Sequence, residues 1–507
     1  MSAIMKTGSG SPVKKYLFYG FLIVYSAVLL YLCKVLNIWL DEAYTLDTTA
    51  RPLSEVISQS YSFESQPPVY FILLSLWRKI SADVFFARLF SLLSIGLAAY
   101  FFYKLIRLLS AVEGSKWLVL LFLLNPFIVW AGLEIRLYAF LLLLSTILIY
   151  LFLAYYIKGK NKYLYFFLLT SLVGLYTQYF FAFLIAALVF ALLVFKGWKA
   201  FFRISLYLVP VVLLFLPNLM FMGDQLGMVQ SQKAEFSAVQ RIGIVLHSPQ
   251  NVTFAMDSLP FQRIIRLGIL FLFVAFLGYA YLQAYKKNRN EKTTYFELIN
   301  FSIVAGITLV AILAALIAVT GIDHQDRYLT IAVPFFILLF SLFGMHSFLQ
   351  SRIMYTVLAL YFAGILLYNY SSPVKQYDYK AVAKFVDVHE KPNEPILFYH
   401  SVLSLPFSYY YTGKNLIVPL PHEVHYDTSY MNNIKDTVEL NQSIKNIKST
   451  STSYLLISDL NEDKYKDNEN RKMVNDYFNL HYRVTFDTLY FGLSKKRSLR
   501  IRRFEQK

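Results

Sequence analysis

The chain has 507 residues, of which 57% are hydrophobic, 18% aromatic and 16% charged, with a mean hydropathy of +0.48; this excludes an ordinary soluble globule and describes a polytopic membrane protein. The formal net charge of +17 would suggest nucleic acid in a soluble chain, but the basic residues sit between apolar runs, where topology places them, so no nucleic-acid partner is expected. In chain order, the first apolar run, Leu17 to Leu36, has about 20 residues, enough to span, and no small-residue cleavage site follows it, so it reads as a retained anchor. It contains Cys33, the single cysteine, which excludes an intrachain disulfide framework and a cysteine metal cluster. Further candidate spans fall near 84–106, 117–133, 138–157, 163–178, 180–195, 203–222, 264–285, 297–320, 328–349 and 353–371, about eleven in all.

The segment "QPPVYFILLSLWRK", residues 66–79, would rise only about 21 Å as a helix, so it reads as an interfacial helix rather than a span. That choice puts Lys104/Arg107/Lys116, Lys158/Lys160/Lys162, Lys196/Lys199/Arg203 and Lys286/Lys287/Arg289/Lys292 on the same side as Lys14 and Lys15. The positive-inside rule then holds at every turn. The opposite, extracytoplasmic side collects Asp41/Glu42, the loop from Asp47 to Glu64, "EIRLY" at 134–138, "YTQYF" at 176–180, a long loop from Gly223 to Gln262, and "DHQDRYL" at 323–329.

From Ser372 onward the apolar runs shorten and Lys, Asp, Glu and Asn become frequent. The expected organisation is a membrane domain over 1–371, with a first outer loop at 38–83, followed by a soluble outer domain over 372–507. In that domain "DYKAVAKFVDVH" has helical spacing, "EPILFYH", "SYLLISDL" and "HYRVTFDTLYFGLS" read as strands, and the charged stretch 462–479 reads as a helix, which makes a small α/β domain. The fold class is therefore mainly α, a helical transmembrane bundle with a carboxy-terminal α/β domain. The basic tail "KKRSLRIRR" reads as a solvated charge run. "HEVH" at 422–425 lacks the i, i+4 histidine spacing of a zinc-protease helix, and the "NVT" at 251 and "NQS" at 441 decide nothing about glycosylation without a known source.

The outer side thus holds carboxylates, arginines, tyrosines and amides, with no nucleotide-binding glycine loop and no nucleophile motif. A carboxylate can take the proton of an attacking hydroxyl, and arginines meet a departing phosphate bidentately. Both needs arise together when a sugar moves from a lipid-linked phosphate carrier to an acceptor hydroxyl. "LDEAYT", "QPPVYFILLSLW", "EIRLYAFLLLLS", "YTQYFFAFL" and "DRYLTIAVPFFILL", in that order and on one side, resemble the GT-C glycosyltransferases, and more narrowly the bacterial protein-mannosyltransferase-like group that includes the lipid A aminoarabinose transferases. The resemblance covers residues 17–372, and the "DYKAVAKFV" opening of the outer domain is similar too.

The resemblance implies an inverting transfer from a polyprenyl-phosphate sugar on the periplasmic or outer face of a bacterial inner membrane, with Asp41 as the base and Glu42 beside it. Arg136 and Arg327 are then the groups for the leaving phosphate, with His324 and Tyr328 near them. Gln66, Tyr70, Glu134, Tyr138, Gln178 and Tyr179 are the candidate cavity residues. Relatives often carry His or Lys where this chain has Gln66, so donor or acceptor choice is expected to differ. No cofactor is required, although Asp41 and Glu42 are also placed to hold Mg²⁺ or Mn²⁺. Expected partners are the polyprenyl-phosphate sugar, a lipid, glycan or protein acceptor, and membrane lipids. The plain alternatives are outward-facing loop acids, snorkelling arginines and aromatic-belt tyrosines. The rival class is a transporter or flippase of lipid-linked glycans, in which intramembrane polar residues mark the path and which repeated halves and broken helices near the midplane would signal; neither repeats nor breaks are apparent in the sequence, and the polar clusters lie at one surface. A structural membrane subunit would leave the ordered clusters unexplained.

Overall fold

Long apolar helices carry most of the chain, because a backbone in lipid must satisfy its own N–H and C=O groups. The computed structural model describes residues 12–108, 115–231, 237–291, 294–322, 324–345, 348–423, 434–447, 452–459, 468–493 and 497–507. It divides into two units, Met1–Lys34 with Gln66–Asn369, and Val35–Ser65 with Tyr370–Lys507. The first part of the first outer loop therefore packs with the carboxy-terminal residues. In chain order the helices are α1 (Pro12–Val35), α2 (Leu40–Ala50) and α3 (Leu53–Ser62), of which the last two belong to the second unit. The first unit continues with α4 (Val69–Arg78), α5 (Val84–Leu108), α6 (Ser115–Leu124), α7 (Pro126–Leu133), α8 (Tyr138–Lys158), α9 (Asn161–Leu175) and α10 (Phe181–Phe215). It closes with α11 (Asn218–Ser231), α12 (Ala238–Phe254), α13 (Arg263–Glu291), α14 (Thr294–Thr320), α15 (Val333–Leu339) and α16 (Phe348–Asn369).

Among the described residues, eight helical segments are long and apolar enough to cross a membrane, or nine if the bent pair α6 and α7 is one span. About eleven were expected, and each expected run contains helix among the described residues; the difference lies in length and breaks. α9 has 15 residues, about 22 Å, against a hydrocarbon layer of roughly 30 Å. α10 has 35 residues, about 52 Å if straight, and is two helices that meet at Gly197, whose φ of +75° a side chain would resist. α6 and α7 are bent by 58° because Asn125 caps the second: its Oδ1 accepts the N–H groups of Phe127 and Ile128, and Pro126 in the first turn has no donor to leave unmatched. α4 has ten residues, about 15 Å, in keeping with a surface-lying helix. The expected long loop from Gly223 to Gln262 is largely helical, with α12 started by a reciprocal cap between Ser237 and Gln240.

Within this unit α5 buries Arg88 completely. Its guanidinium donates to the carbonyl of Cys33 at 2.9 Å, one of the last-turn carbonyls of α1 that no helical N–H can reach.

The second unit is a five-stranded sheet in the order β2-β1-β3-β5-β4, with β1 (Ile396–Tyr399), β2 (Ile417–Pro419), β3 (Ser453–Asp459), β4 (Tyr482–Phe491) and β5 (Ser498–Gln506). β1 runs parallel to β2 and β3, while β5 is antiparallel to β3 and β4. Successive strand residues point to opposite faces: Ile396, Phe398, Leu455, Ile457 and Ile501 meet α17 (Tyr379–His389) and α18 (Ser404–Ser408). Leu397, Leu456 and Phe504 meet α19 (Thr437–Lys445) and α20 (Asn468–His481) on the other. The expected α/β domain is therefore present. The basic tail is not a solvated run, because from Ser498 it forms β5, an interior strand. Leu499 and Ile501 are buried, and its arginines find partners: Arg500 on Asp487 at 2.9 Å and Arg503 on Glu394 at 2.8 Å. The Arg500 hydrogen bond holds the Asp487 carboxyl below its ordinary range. Residues 462–467 of the expected helix, Val424 and His425 of "HEVH", Asp323, Lys292, Lys495 and Lys496 lie outside the described residues.

A short strap, Pro373 to Tyr377, fastens residues 35–42 to this sheet domain. Asn37 donates its backbone N–H to the Pro373 carbonyl at 3.1 Å, accepts the Lys375 N–H on its Oδ1 at 2.8 Å, and donates from its Nδ2 to the Tyr377 carbonyl. The Gln376 carbonyl accepts from Leu493 N at 2.8 Å. Tyr377 is buried in the core and donates its hydroxyl to Asp459 at 2.9 Å, and burial pushes its phenol well above the ordinary range. A Cβ on Gly492 would stand 2.1 Å from the carbonyl oxygens of Gln376 and Arg497. Gly492→Ala is therefore expected to cost this unit about 1–3 kcal/mol, measurable as an earlier denaturant midpoint for the sheet.

Candidate functional site

Asp41 and Glu42 belong to the second unit and occupy the first turn of α2, where acidic side chains complement the helix dipole. Their environments differ sharply. Glu42 is fully buried; one oxygen accepts the Trp39 N–H at 3.3 Å and the other pairs with Lys375 Nζ at 2.8 Å. Asp41 is half-buried. The rest of α2 is fixed by packing: Tyr44 meets Phe63 edge-on at 4.8 Å and Val402 beyond it, while Thr45 and Thr48 donate to buried Glu64 at 3.5 and 3.3 Å.

The other ten candidates lie in the first unit, at or beside helix ends. Pro67 and Pro68 lead into α4, and the Val69 N–H donates to the Tyr176 carbonyl at 3.0 Å, so the "QPP" and "YTQYF" motifs touch. Gln66 and Gln178 each bury an amide oxygen that no hydrogen bond satisfies among the described residues, and Gln178 is 3% exposed. The tight turn that carries Gln178 and Tyr179 depends on Gly174, because the Phe181 ring fills the place of a Cβ there. Tyr179 packs edge-on to Phe215 at 6.2 Å. Tyr70 is a buried ring, edge-on to Phe90 at 6.0 Å.

The link between α7 and α8 carries Glu134, Arg136 and Tyr138. The Glu134 carbonyl accepts from Ser91 at 2.6 Å, Arg136 is half-buried, and Tyr138 stacks on Trp130 at 5.1 Å. The Arg327 guanidinium stands over the Tyr138 ring, 5.7 Å from its centre. Its neighbour Tyr328 packs edge-on to Phe180 at 5.0 Å. Four motifs separated by up to 260 residues of sequence are thereby chained together: "QPP" to Tyr176, Phe180 to Tyr328, Arg327 to Tyr138.

Residues that the sequence did not single out hold this cluster. Ser248 of α12 lies between His324 Nε2, at 2.8 Å, and Asp326, to which its hydroxyl donates. Asn251 adds a donor to Asp326 at 3.0 Å and another to Asp257; this asparagine of "NVT" is thus buried in a polar network. Asp257 in turn receives Arg266 at 3.0 Å and faces His247 at 3.1 Å. Asn125 donates to the Val252 and Thr253 carbonyls at the end of α12, both at 3.1 Å. Only Asn125 had a legible signal, an asparagine before a proline at the head of an apolar run. No group of three or more His, Cys, Asp and Glu side chains is arranged to hold a metal ion among the described residues.

The fold defines a class: a multi-pass membrane protein with the GT-C glycosyltransferase architecture. Residues 65–221, which contain the "QPP", "EIRLY" and "YTQYF" motifs, match the family model of dolichyl-phosphate-mannose-protein mannosyltransferases. The structure is similar to that of ArnT from Cupriavidus metallidurans in the apo state, over 96% of this chain and 98% of that one, with a TM-score of 0.56 and 12% identity. It is similar also to ArnT from the same organism bound to undecaprenyl phosphate, over 95% and 98%, with a TM-score of 0.56 and 11% identity. At such identities the likeness is one of fold. No curated protein sequence matches the chain.

Removing the Ser248 hydroxyl takes a hydrogen-bond partner from buried His324 and from half-buried Asp326. Ser248→Ala should lower stability by about 1–3 kcal/mol, seen as a reduced thermal midpoint of the detergent-purified protein, with Asn251→Ala acting in the same direction.

Proposed function

We propose that this chain transfers a sugar from a polyprenyl-phosphate carrier to an acceptor hydroxyl of a lipid, glycan or protein, with inversion, on the extracytoplasmic face of a bacterial inner membrane. The observation that carries the reading is the chaining of four polar motifs at helix ends in a GT-C fold, with Arg327 set over Tyr138. ArnT, whose fold it shares, has been solved bound to undecaprenyl phosphate, which supports a carrier of that class here.

In the proposed reaction the acceptor oxygen attacks the anomeric carbon as Asp41 takes its proton. The bond from that carbon to the carrier's phosphate oxygen breaks, and its electron pair leaves with the polyprenyl phosphate. Arg136 and Arg327 meet the charge that grows on the departing phosphate, the task for which a planar, permanently charged fork is suited; His324 and Tyr328 flank it. Gln66, Tyr70, Glu134, Tyr138, Gln178 and Tyr179 line the sugar site. The two unmatched amide oxygens support this assignment, since a buried acceptor left alone costs about 1–3 kcal/mol and sugar hydroxyls are donors. Glu42 is committed to Trp39 and Lys375, which favours charge neutralisation by arginine over a cation shared between Asp41 and Glu42.

The test is transfer of radiolabelled sugar from a mixed pool of undecaprenyl-phosphate-linked sugars to membrane extract. Asp41→Asn should lower the rate by about 10²- to 10⁴-fold, and Arg327→Ala by about 10²- to 10³-fold, with folding retained. Wild-type rates in Asp41→Asn would remove the base assignment, and label crossing vesicles with no new covalent product would replace the transferase with a transporter.

A further inference from the structure

Stability alone does not explain the pairing of Glu42 with Lys375. Their side chains are 0% and 9% exposed, and a buried ion pair gives little net stability over apolar residues of the same shape, because both charges lose their water. What such a pair does supply is a single allowed arrangement. Glu42 has its other oxygen on the Trp39 N–H, so its carboxylate is held from two directions at the first turn of α2. Asn37 fixes the chain two residues before Trp39 with three hydrogen bonds to the strap. The strap is itself fixed by Gln376 to Leu493 and by Tyr377 to Asp459.

The Asn37 bonds set where α2 begins, and Tyr44, Thr45 and Thr48 hold its later turns against Phe63 and Glu64. The Glu42–Lys375 pair acts on the first turn, the one that carries Asp41. One residue is about 100° of helix rotation, so pointing Glu42 inward at Lys375 directs the side chain of Asp41 to a different face, which agrees with Asp41 being half-buried where Glu42 is fully buried. We propose that Lys375 is a positioning residue for the transfer: through its ion pair with Glu42 it holds the first turn of α2 and so the placement of the Asp41 carboxylate. The inference rests on the proposed role of Asp41 as base. It adds a residue that lies 333 positions from its partner in the chain, at the junction of the last membrane helix and the sheet domain.

The experiment compares full-length wild type, Asp41→Asn, Lys375→Met, Lys375→Arg and the neutral pair Glu42→Gln/Lys375→Met. The probe is the mixed pool of undecaprenyl-phosphate-linked sugars with membrane extract, read as the saturated rate, the pool concentration at half-maximal rate, and the thermal midpoint. Misplacement of a reacting group by about 1 Å costs on the order of 10²-fold. Lys375→Met should therefore lose about 10- to 100-fold in saturated rate while the half-maximal concentration barely moves, and Lys375→Arg should regain most of the loss. The neutral pair removes the unpaired buried charge, so its thermal midpoint should return toward that of wild type while its rate stays low. That split between stability and rate is the signature of positioning. A wild-type rate in Lys375→Met or in the neutral pair overturns the proposal, as does a neutral pair that recovers rate and midpoint together or that fails to fold. If Asp41→Asn is inactive and Lys375→Met is not impaired, only this inference fails; if Asp41→Asn transfers at the wild-type rate, the base assignment has failed first.

Discussion

Asn37 and the strap from Pro373 to Tyr377 form the constraint on which the proposed chemistry depends. The asparagine uses its backbone N–H and both ends of its amide on three strap residues, and each bond has a net worth of only about 1 kcal/mol. The hold is therefore specific rather than strong. It is backed by a buried tyrosine that reaches Asp459, and by a glycine at 492 that lets a backbone carbonyl come where a side chain would otherwise stand. A helix placed by several directional contacts of modest strength has one geometry available to it. Preorganisation of a catalytic carboxylate asks for that more than for stability.

A different logic holds the first unit. There the polar groups gather at helix ends, where backbone donors and acceptors are unmatched and side chains can serve them. Arg88 does so for the end of α1, and Asn125 for the start of α7 and the end of α12. The His324, Ser248 and Asp326 series is extended by Asn251, which donates both to Asp326 and to Asp257, so that Asp326 accepts from two sides beside Arg327.

Much of this was legible in the sequence. Apolar runs of the right length gave nearly every helix of the first unit, and alternation gave β1, β3 and β4, because span length and strand period are written directly in hydropathy. The breaks were less visible: Gly197 looks ordinary within apolar sequence yet permits a positive-φ backbone, and Asn125, which caps a helix, is marked only by the proline that follows it. The tail misled because charge was counted without its alternation; Leu499 and Ile501 face the core, while Arg500 and Arg503 pair with acids. Among site residues, motif order pointed to Tyr138 and Arg327, which touch, and to His324 and Tyr328, whose rings meet. Lys375 and Ser248 carry no local signal, since Glu42 for the one and His324 and Asp326 for the other lie far away in sequence and only the folded chain brings them together.

The separation of Asn37 from its strap has a further meaning for biosynthesis. The residue that accepts the Lys375 N–H is made 338 positions before it, so at about 5–20 residues per second the ribosome works for roughly half a minute before the partner exists. During that interval the nascent chain carries α2 without the strap that fastens it. A chain released early, even one with every membrane helix in place, would lack the partner of Glu42, so the first turn of α2 is held only once the last part of the polypeptide has been made.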